Sequence, residues 1–575
     1  MSRRQSAIPG VRGALLPAAI VVAAVAWVLA PGVAGDWGRD DYFQLAFSRL
    51  LGSPWPLFAH DHFPVPGSVY RPLGFASMWL GVQWFGSDYA AHARFDLALH
   101  AVVALALYGL LRTLRIAMLP ALLGTLAFAL HPAAIGPALW WSARFDVLAT
   151  LFVLLALVAA VRYRDGGAAG WLAVTLLASL AAMLSKEIGL VAAVAAGALW
   201  LRQARVEPAQ RGRMAFACVA LALVAVAWFA WRARVLGTAA SGLTGAMPLV
   251  DALVAGIGAW SRQAAAYLTF WPRLGTAARV LLVALAIAAL PALRRAGARE
   301  RDDIAILLCG LVLLLSPALL QAPVAALNAR PLGSGESAVE AAMQSRLYYL
   351  GLTGVAMLLA MLLERARTRR LPGAALATIA TALVVAFGLG AHRDAGAIAQ
   401  RSRDNARVAH AAVEAVDALA LPAASCHVVF LGVEPAPEWG AYVSMDSVVK
   451  ALDTDLARVA PCWFHANTPT WFFLVPTAAT ASAASPYRPL QQGGREVPWL
   501  RVGGATIAYL EDEPVVDARE RARMPHLRWN GHRFELVEPP AGPGPARSGR
   551  ALSWRRGSPC PDARSGLRRR GRAGA

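Results

Sequence analysis

The sequence of 575 residues has few charged side chains and almost no lysine. Charged residues make up 16% of the chain and hydrophobic residues 57%, whereas a soluble domain keeps about 25% of its residues charged to face water. Lys186 and Lys450 are the only lysines, so nearly all of the positive charge is arginine. This composition argues against an ordinary soluble domain and favours an integral membrane protein.

Cysteine is scarce and lacks the spacing of a metal site. The five cysteines form no CxxC pair and no Cys/His cluster, which argues against zinc or iron–sulfur binding. Cys218 and Cys309 lie inside apolar runs and are interpreted as small core residues. Cys426 and Cys462 lie in the polar C-terminal part, where they could form a disulfide if that part is exported.

The net charge of +20 does not indicate nucleic-acid binding. Nine arginines lie within residues 541–575, a tail rich in proline and glycine. Most of the other arginines lie in short loops between apolar runs, where positive charge is typical of the cytoplasmic side of a membrane. We therefore interpret the arginines as a topology signal and predict no nucleic-acid partner.

Long apolar runs predict eleven membrane-spanning helices, because about 20 mostly apolar residues are needed to cross a bilayer in a helix. The placement of arginine puts the long loop 32–92 outside the cytoplasm. Within this loop, Pro72–Phe85 predicts a helix lying along the membrane surface. The predicted spans are residues 13–31, 93–111, 117–132, 144–161, 168–184, 188–201, 214–231, 276–293, 303–322, 347–363 and 372–391.

The chain changes character after the last span. We predict a transmembrane domain over residues 1–391, an extracytoplasmic soluble domain over 392–540 and a disordered tail over 541–575. The fold class is thus an all-α polytopic membrane protein with a small C-terminal α/β domain. The abundance of alanine, glycine and arginine suggests a bacterial protein of the inner membrane. Strand-like runs in the soluble part are His427–Leu431, Trp471–Val475 and Ala505–Leu510.

Ionisable residues near the outer ends of the spans are the candidate functional groups, because charge at membrane depth is costly. Adjacent carboxylates can divide acid–base work, one accepting a proton from a hydroxyl and the other orienting it or holding a divalent cation. Guanidinium groups are well shaped for phosphate. The candidates are Asp40, Asp41, Arg71, Arg144, Asp146, Lys186, Glu187 and Arg346.

Two other polar groups are interpreted as structural. His60, Asp61 and His62 could hold a metal ion, but three consecutive loop residues are more typical of a solvated loop, so no metal site is predicted. Asp96 and His100 share one helix face, where they could orient a site or join two helices. We favour the second role.

The order of the motifs carries a family resemblance. An Asp-Asp pair follows the first span, and later come a Trp-x-x-x-Arg-x-Asp-x-Leu stretch and an Arg-x-Tyr at a late span. The remaining motifs are Tyr70-Arg71-Pro72-Leu73, His131-Pro132 and Lys186-Glu187. Over roughly residues 35–350 this set resembles the C superfamily (GT-C) of membrane glycosyltransferases. Within that superfamily it is most similar to the bacterial relatives of the multi-spanning O-mannosyltransferases that carry tetratricopeptide repeats.

Three positions depart from the family's pattern. Gly136 stands where the family often has an acidic residue, and Ala134 replaces a second histidine. Asp96 stands where an asparagine is expected. The repeat array itself is replaced by a domain without repeats.

The resemblance implies transfer of a sugar from a polyprenyl-phosphate-linked donor to an extracytoplasmic acceptor, which could be a protein, a lipid or a cell-envelope glycan. It implies that Asp40 or Asp41 is the base or the acceptor-positioning acid. The donor and membrane lipid are the implied partners. Arg71, Arg144, Lys186 and Arg346 are the implied counter-charges for the lipid phosphate.

Two other functions stay open. A transporter or flippase of a lipid-linked substrate would distribute its essential residues through the depth of the bilayer. A non-catalytic membrane scaffold would tolerate alanine at the outer carboxylates.

Overall fold

The computed structural model describes most of the helical region and parts of the C-terminal region. The described residues are 11–38, 40–61, 69–238, 250, 251, 254, 257, 300–320, 345–368, 373–421, 427–433, 444–466, 472–476, 491, 492, 495, 496, 500–502, 505–509 and 524–538.

The helical region forms one bundle with a continuous apolar core. Its helices are α1 (Val11–Leu29), α2 (Asp40–Leu50), α3 (Pro72–Phe85), α4 (Tyr89–Thr113), α5 (Met118–Ala129), α6 (Ile135–Leu139), α7 (Arg144–Gly166), α8 (Ala169–Ser185), α9 (Val191–Val206), α10 (Arg211–Leu236), α11 (Glu300–Leu320), α12 (Tyr349–Thr368) and α13 (Gly373–Asp417).

Seven helices of the described region are long and apolar enough to cross a membrane, and eight if one bent pair counts as a single span. The bent pair joins Met118–Ala129 to Pro132–Leu139 at 56°, and Ala169–Ser185 and Asp303–Leu315 are shorter apolar helices. Every predicted span except 276–293, which lies outside the described residues, overlaps one of these helices. The polytopic helical class is confirmed, with fewer full-length crossings in the described region than the eleven predicted.

The bend after α5 has a local cause. Pro132 has no backbone N–H and cannot continue the helix, and the His131 ring accepts a hydrogen bond from the N–H of Ala133 at 3.1 Å. His100 Nε2 donates to the carbonyl of Ala129 at 3.0 Å, and its Nδ1 accepts from the Tyr349 hydroxyl at 2.6 Å. His100 therefore joins α4, α5 and α12, in agreement with its predicted structural role.

The segment between α1 and α4 contains two helices. The predicted helix Pro72–Phe85 is confirmed as α3. Its start is explained by Pro72, whose fixed φ suits the first helical position, and its end by Gly86, which has a φ of +57°. The position of α3 relative to a membrane surface stays a prediction.

The C-terminal region contains a small α/β domain, as predicted. The helices are α14 (Met445–Leu452) and α15 (Leu456–Val459). The strands are β1 (His427–Leu431), β2 (Trp463–Ala466), β3 (Phe472–Pro476), β4 (Gln491–Gln492), β5 (Arg495–Glu496), β6 (Leu500–Val502), β7 (Ala505–Tyr509), β8 (His526–Trp529) and β9 (Phe534–Val537).

Four of the strands form a mixed sheet in the order β2-β1-β8-β9, in which β1 is parallel to both of its neighbours. Strands β3, β7 and β6 form an antiparallel sheet, and β4 pairs with β5. The three predicted strand regions correspond to β1, β3 and β7. Helix α13 runs for 45 residues, so the predicted domain boundary at residue 391 lies inside a continuous helix.

The cysteines agree in part with expectation. Cys218 and Cys309 are free thiols, and Cys462 is disulfide-bonded. Cys426 lies outside the described residues, so its pairing with Cys462 stays a prediction.

The turn between α8 and α9 requires glycine at position 189. A Cβ at Gly189 would lie 2.1 Å from the carbonyl carbon of Ala182, whereas a Cβ at Gly197 in α9 would meet nothing within 4 Å. We expect Gly189→Ala to lower stability by about 1–3 kcal/mol, because the contact is with backbone and the turn must move. Gly197→Ala, the matched control, should be neutral or slightly stabilising.

Thermal unfolding of the purified protein in detergent measures both changes. Equal unfolding temperatures for the two variants would contradict this account of the turn.

Candidate functional site

Asp41 is a buried carboxylate held by the segment that leads into α7. Its Oδ1 accepts a hydrogen bond from the backbone N–H of Ser142 at 2.9 Å and a second one from the Ser142 hydroxyl. Asp41 is 3% exposed and Ser142 is 4% exposed. Both bonds go to one carboxylate oxygen, and a hydrogen bond from the backbone of Gly38 also acts on this carboxylate.

The structure distinguishes Asp41 from its neighbour Asp40. Both lie in the first turn of α2, but Asp40 is only partly buried. Burial raises the pKa of Asp41 from 3.8 to about 7, against the opposing effect of the Ser142 hydrogen bonds. A carboxylate with a pKa near neutrality is suited to exchanging protons.

Lys186 and Asp146 form a buried charge pair at the same end of the bundle as Asp41. Lys186 Nζ lies 2.5 Å from Asp146 Oδ1. The pKa of Lys186 is lowered to about 8, mainly by burial. The charges of Arg71 and Arg346 act in the same direction, and Asp146 opposes them. The electrostatic effect of both arginines places them near Lys186.

Arg71 and Arg346 are each held over an aromatic ring. The Arg71 guanidinium lies 5.5 Å from the ring centre of Phe145, and that of Arg346 lies 4.4 Å from Trp140. Such stacking orients a planar guanidinium. Arg71 also pairs with Glu187, with Nη2 2.9 Å and Nε 3.0 Å from Oε2.

These contacts bring together five of the predicted site residues, which we call the cationic group: Arg71, Asp146, Lys186, Glu187 and Arg346.

Arg144 faces a different part of the bundle. Its Nε lies 2.6 Å from Asp96 Oδ1, and its Nη1 donates to the carbonyl of Ser77 at 3.1 Å. The Arg144 side chain is fully buried. Arg144 and the nearby Asp146 do not pair with each other, because residues two apart on a helix point in different directions.

All of these contacts meet in the segment 140–146. Ser142 binds Asp41, and Asp146 binds Lys186. Ser142 lies in the 3-10 turn Trp141–Ala143 that leads directly into α7, and Asp146 lies in the first turn of α7. The buried carboxylate and the cationic group are therefore attached about one helical turn apart.

Sequence analysis did not identify Ser142 or Arg232 as functional residues. Ser142 is 101 positions from Asp41, and no local pattern connects them. Arg232 is 5% exposed, and its charge interacts with Glu187, Arg71 and Asp61. The sequence signal that could have identified Arg232 is its position just after the predicted span 214–231, at the outer end of that span.

The described residues contain no group of three or more His, Cys, Asp or Glu side chains that could hold a metal ion. Of the predicted polar loop, His62 lies outside the described residues. A divalent cation at the Asp40–Asp41 pair stays untested.

No protein-family model and no curated protein matches the sequence. The structure is similar to the crystal structure of ArnT from Cupriavidus metallidurans bound to undecaprenyl phosphate, with a TM-score of 0.42 and 11% sequence identity. The similarity covers 87% of this chain and 98% of that chain.

The raised pKa of Asp41 predicts a pH-dependent effect on stability. The folded protein binds this proton more tightly than the unfolded chain, so folding stability falls as pH rises from about 4 to 7 and stays lower above 7. A difference of about 3 pKa units corresponds to at most ~4 kcal/mol. We expect Asp41→Asn, which can still accept both Ser142 hydrogen bonds, to unfold at a higher temperature than wild type at pH 8.

At pH 5 the advantage of Asp41→Asn should be less than half of that at pH 8, because Asp41 is then protonated in the folded protein but already ionised in the unfolded chain. Thermal unfolding in detergent at both pH values makes the comparison, with Asp40→Asn as the control. An advantage of Asp41→Asn that is the same at pH 5 and pH 8 would contradict the raised pKa.

Proposed function

We propose that the protein transfers a sugar from a polyprenyl-phosphate-linked donor to a hydroxyl group of an acceptor. The observation that carries this proposal is the attachment of a buried carboxylate and a cationic group about one helical turn apart, at Ser142 and Asp146. Sugar transfer from a lipid phosphate needs both groups, a base for the incoming hydroxyl and positive charge for the departing phosphate.

Asp41 is the base in this proposal. As the acceptor oxygen forms a bond to the anomeric carbon, its proton passes to Asp41. The bond between the anomeric carbon and the phosphate oxygen breaks, and the electron pair leaves with the phosphate. A pKa of about 7 leaves Asp41 ionised in a large fraction of molecules at neutral pH and basic enough to accept the proton.

The cationic group stabilises the phosphate. Arg71, Lys186 and Arg346 carry three positive charges against the two carboxylates of Asp146 and Glu187, which leaves an excess of one positive charge. Fixed cations in a site shielded from water stabilise charge as it develops on a leaving group. Asp146 and Glu187 pair with these cations before the phosphate binds, because several unpaired charges would be costly when buried.

Arg144 has a structural role in this proposal. Its Nε pairs with Asp96 and its Nη1 donates to the Ser77 carbonyl, while Nη2 has no hydrogen-bond partner among the described residues. Arg144 forms no ion pair with the cationic group in this part of the chain. The Arg144–Asp96 pair joins α4 to the start of α7, and so supports the segment that carries Ser142 and Asp146.

The location follows from the predicted topology. The segment between α1 and α4 carries Asp41 and Arg71, and arginine placement puts this segment outside the cytoplasm. We therefore place the reaction and the C-terminal domain on the extracytoplasmic side of a bacterial inner membrane. The acceptor is an exported protein, lipid or cell-envelope glycan.

The role of the cationic group is tested by lipid binding. We expect Arg71→Gln and Arg346→Gln each to weaken binding of undecaprenyl phosphate by roughly tenfold or more, because each removes a charge-assisted contact. Arg112→Gln is the matched control, since Arg112 lies at the opposite end of α4. Native mass spectrometry of the purified protein, with the lipid titrated in, measures the binding. Equal binding by all four proteins would contradict the proposed phosphate site.

The role of Asp41 is tested by transfer of labelled sugar from a panel of polyprenyl-phosphate donors in membranes with matched protein abundance. We expect Asp41→Asn to lower transfer by roughly 10²–10⁴-fold, the usual contribution of a general base, and Asp40→Asn to have a much smaller effect. Wild-type transfer should rise with pH through about 7 as Asp41 ionises. Ser142→Ala should move this inflection to higher pH, because the Ser142 hydrogen bonds lower the pKa of Asp41.

Transfer that survives Asp41→Asn at normal abundance would rule out Asp41 as the base. Lipid binding without transfer from any donor would favour the transporter, and the absence of both would favour the scaffold.

A further inference from the structure

Helix α2 carries Asp41 near its first residue and a second anchored residue near its last. Arg49 Nη1 donates to the carbonyl oxygens of Lys450 at 3.0 Å and Ala451 at 2.8 Å. Both carbonyls belong to the last turn of α14 in the C-terminal domain. The last carbonyls of a helix lack partners within the helix and carry partial negative charge. A guanidinium at this end supplies both the missing hydrogen bonds and a favourable positive charge.

An apolar interface surrounds this contact. Phe43 and Phe47 of α2 are at most 2% exposed and belong to the same hydrophobic cluster as Val448 and Val449 of α14. The cluster also contains Trp141 at the start of the α7 segment. Helix α2 thus lies in one continuous core between the bundle and the C-terminal domain.

Helix α14 is itself rigidly held. Lys450 Nζ donates to Asp446 Oδ1 at 2.7 Å and to the carbonyl of Leu474 at 2.5 Å. Asp446 accepts further hydrogen bonds from the backbone N–H groups of Phe464 and Leu474. Both side chains of the pair are fully buried, and a fully satisfied buried network of this kind rigidifies its surroundings. Helix α14 is therefore a firm support for Arg49.

The segment that leads into α2 is docked on the same half of the chain. The Asp36 backbone N–H donates to Ser402 Oγ at 2.9 Å, and Asp36 Oδ2 accepts from His410 Nε2 at 2.8 Å. Arg403 donates to the carbonyl of Ala34. Ser402, Arg403 and His410 all belong to α13, so residues 34–36 and α2 are both fixed by the C-terminal half of the chain.

We propose that the C-terminal domain holds helix α2 against the bundle, and that Arg49 is a positioning residue for Asp41. The two residues are eight positions apart, about 12 Å along a helix, and a helix of this length transmits displacement at one end to the other. The proposal rests on the proposed function in taking Asp41 as the acting carboxylate. Its test uses no substrate, so the two can fail separately.

The first measurement is hydrogen exchange of the full-length protein in detergent, read by mass spectrometry. We expect Arg49→Ala to speed amide exchange in the peptide covering residues 40–50 by at least tenfold, and Arg49→Lys to restore part of the protection. Arg533→Ala is the matched control, because Arg533 lies in the turn between β8 and β9 of the same domain, where it pairs with Glu535, and it forms no hydrogen bond or ion pair with α2 in the part of the chain that the structure describes. This variant should leave exchange in residues 40–50 unchanged.

The second measurement separates positioning from a general loss of stability. Asp41→Asn should raise the unfolding temperature more at pH 8 than at pH 5. We expect this difference between the two pH values to shrink by at least half when Arg49→Ala is also present. The reason is that a loosened α2 lets water reach Asp41, whose pKa then moves back toward its ordinary value. In the Arg533→Ala background the advantage should be unchanged.

The proposal would be overturned if amides in residues 40–50 exchanged at the same rate in Arg49→Ala as in the wild-type protein. An Asp41→Asn advantage that is the same with and without Arg49 would overturn it as well.

Discussion

Charge that is taken out of water must be paired, and this requirement organises the end of the bundle that carries α2. An isolated buried ion is very costly, whereas an ion with a partner and further hydrogen bonds is tolerated. Lys186 and Asp146 satisfy each other, as do Arg144 and Asp96. One short segment before and within the first turn of α7 supplies a member of each pair, and also supplies the two donors for Asp41.

The segment 140–146 directs its polar side chains toward different parts of the bundle. Ser142, Arg144 and Asp146 reach three different partners on other elements. Arg144 and Asp146 are two apart on a helix and point in different directions. Arg144 is committed to packing between helices, and its neighbours hold groups with pKa values near neutrality. Ionised Asp41 lowers the folding stability of the protein, since burial raises its pKa to about 7. In the proposed function, the burial that lowers stability also gives Asp41 a pKa suited to accepting a proton near neutral pH.

The C-terminal domain is part of this arrangement. Helix α2 has one face against the bundle and another against α14, and Arg49 bridges the second contact. The long helix α13 reaches from the bundle to the region of residues 402–410, where it fixes the segment before α2. The residues that flank Asp41 are thus held by parts of the chain more than 350 positions away. This explains how a mainly polar segment between two spans can hold a carboxylate in a fixed geometry.

The sequence by itself determined the elements of the fold. Apolar runs specify helices because lipid offers the backbone no hydrogen-bond partners. Pro72 starts α3, and short strand-like runs bounded by Pro, Gly and Asp predict β1, β3 and β7. It also determined which residues were candidates, because ionisable groups beside spans are few. The partners of those candidates were decided only by the tertiary structure. Arg144 and Asp146 are close in sequence but face apart, while Asp41 and Ser142 are 101 residues apart and in contact. Local sequence sets backbone conformation through short-range sterics and hydrogen bonds, whereas pairing of buried charges depends on how helices pack, and no local pattern encodes that.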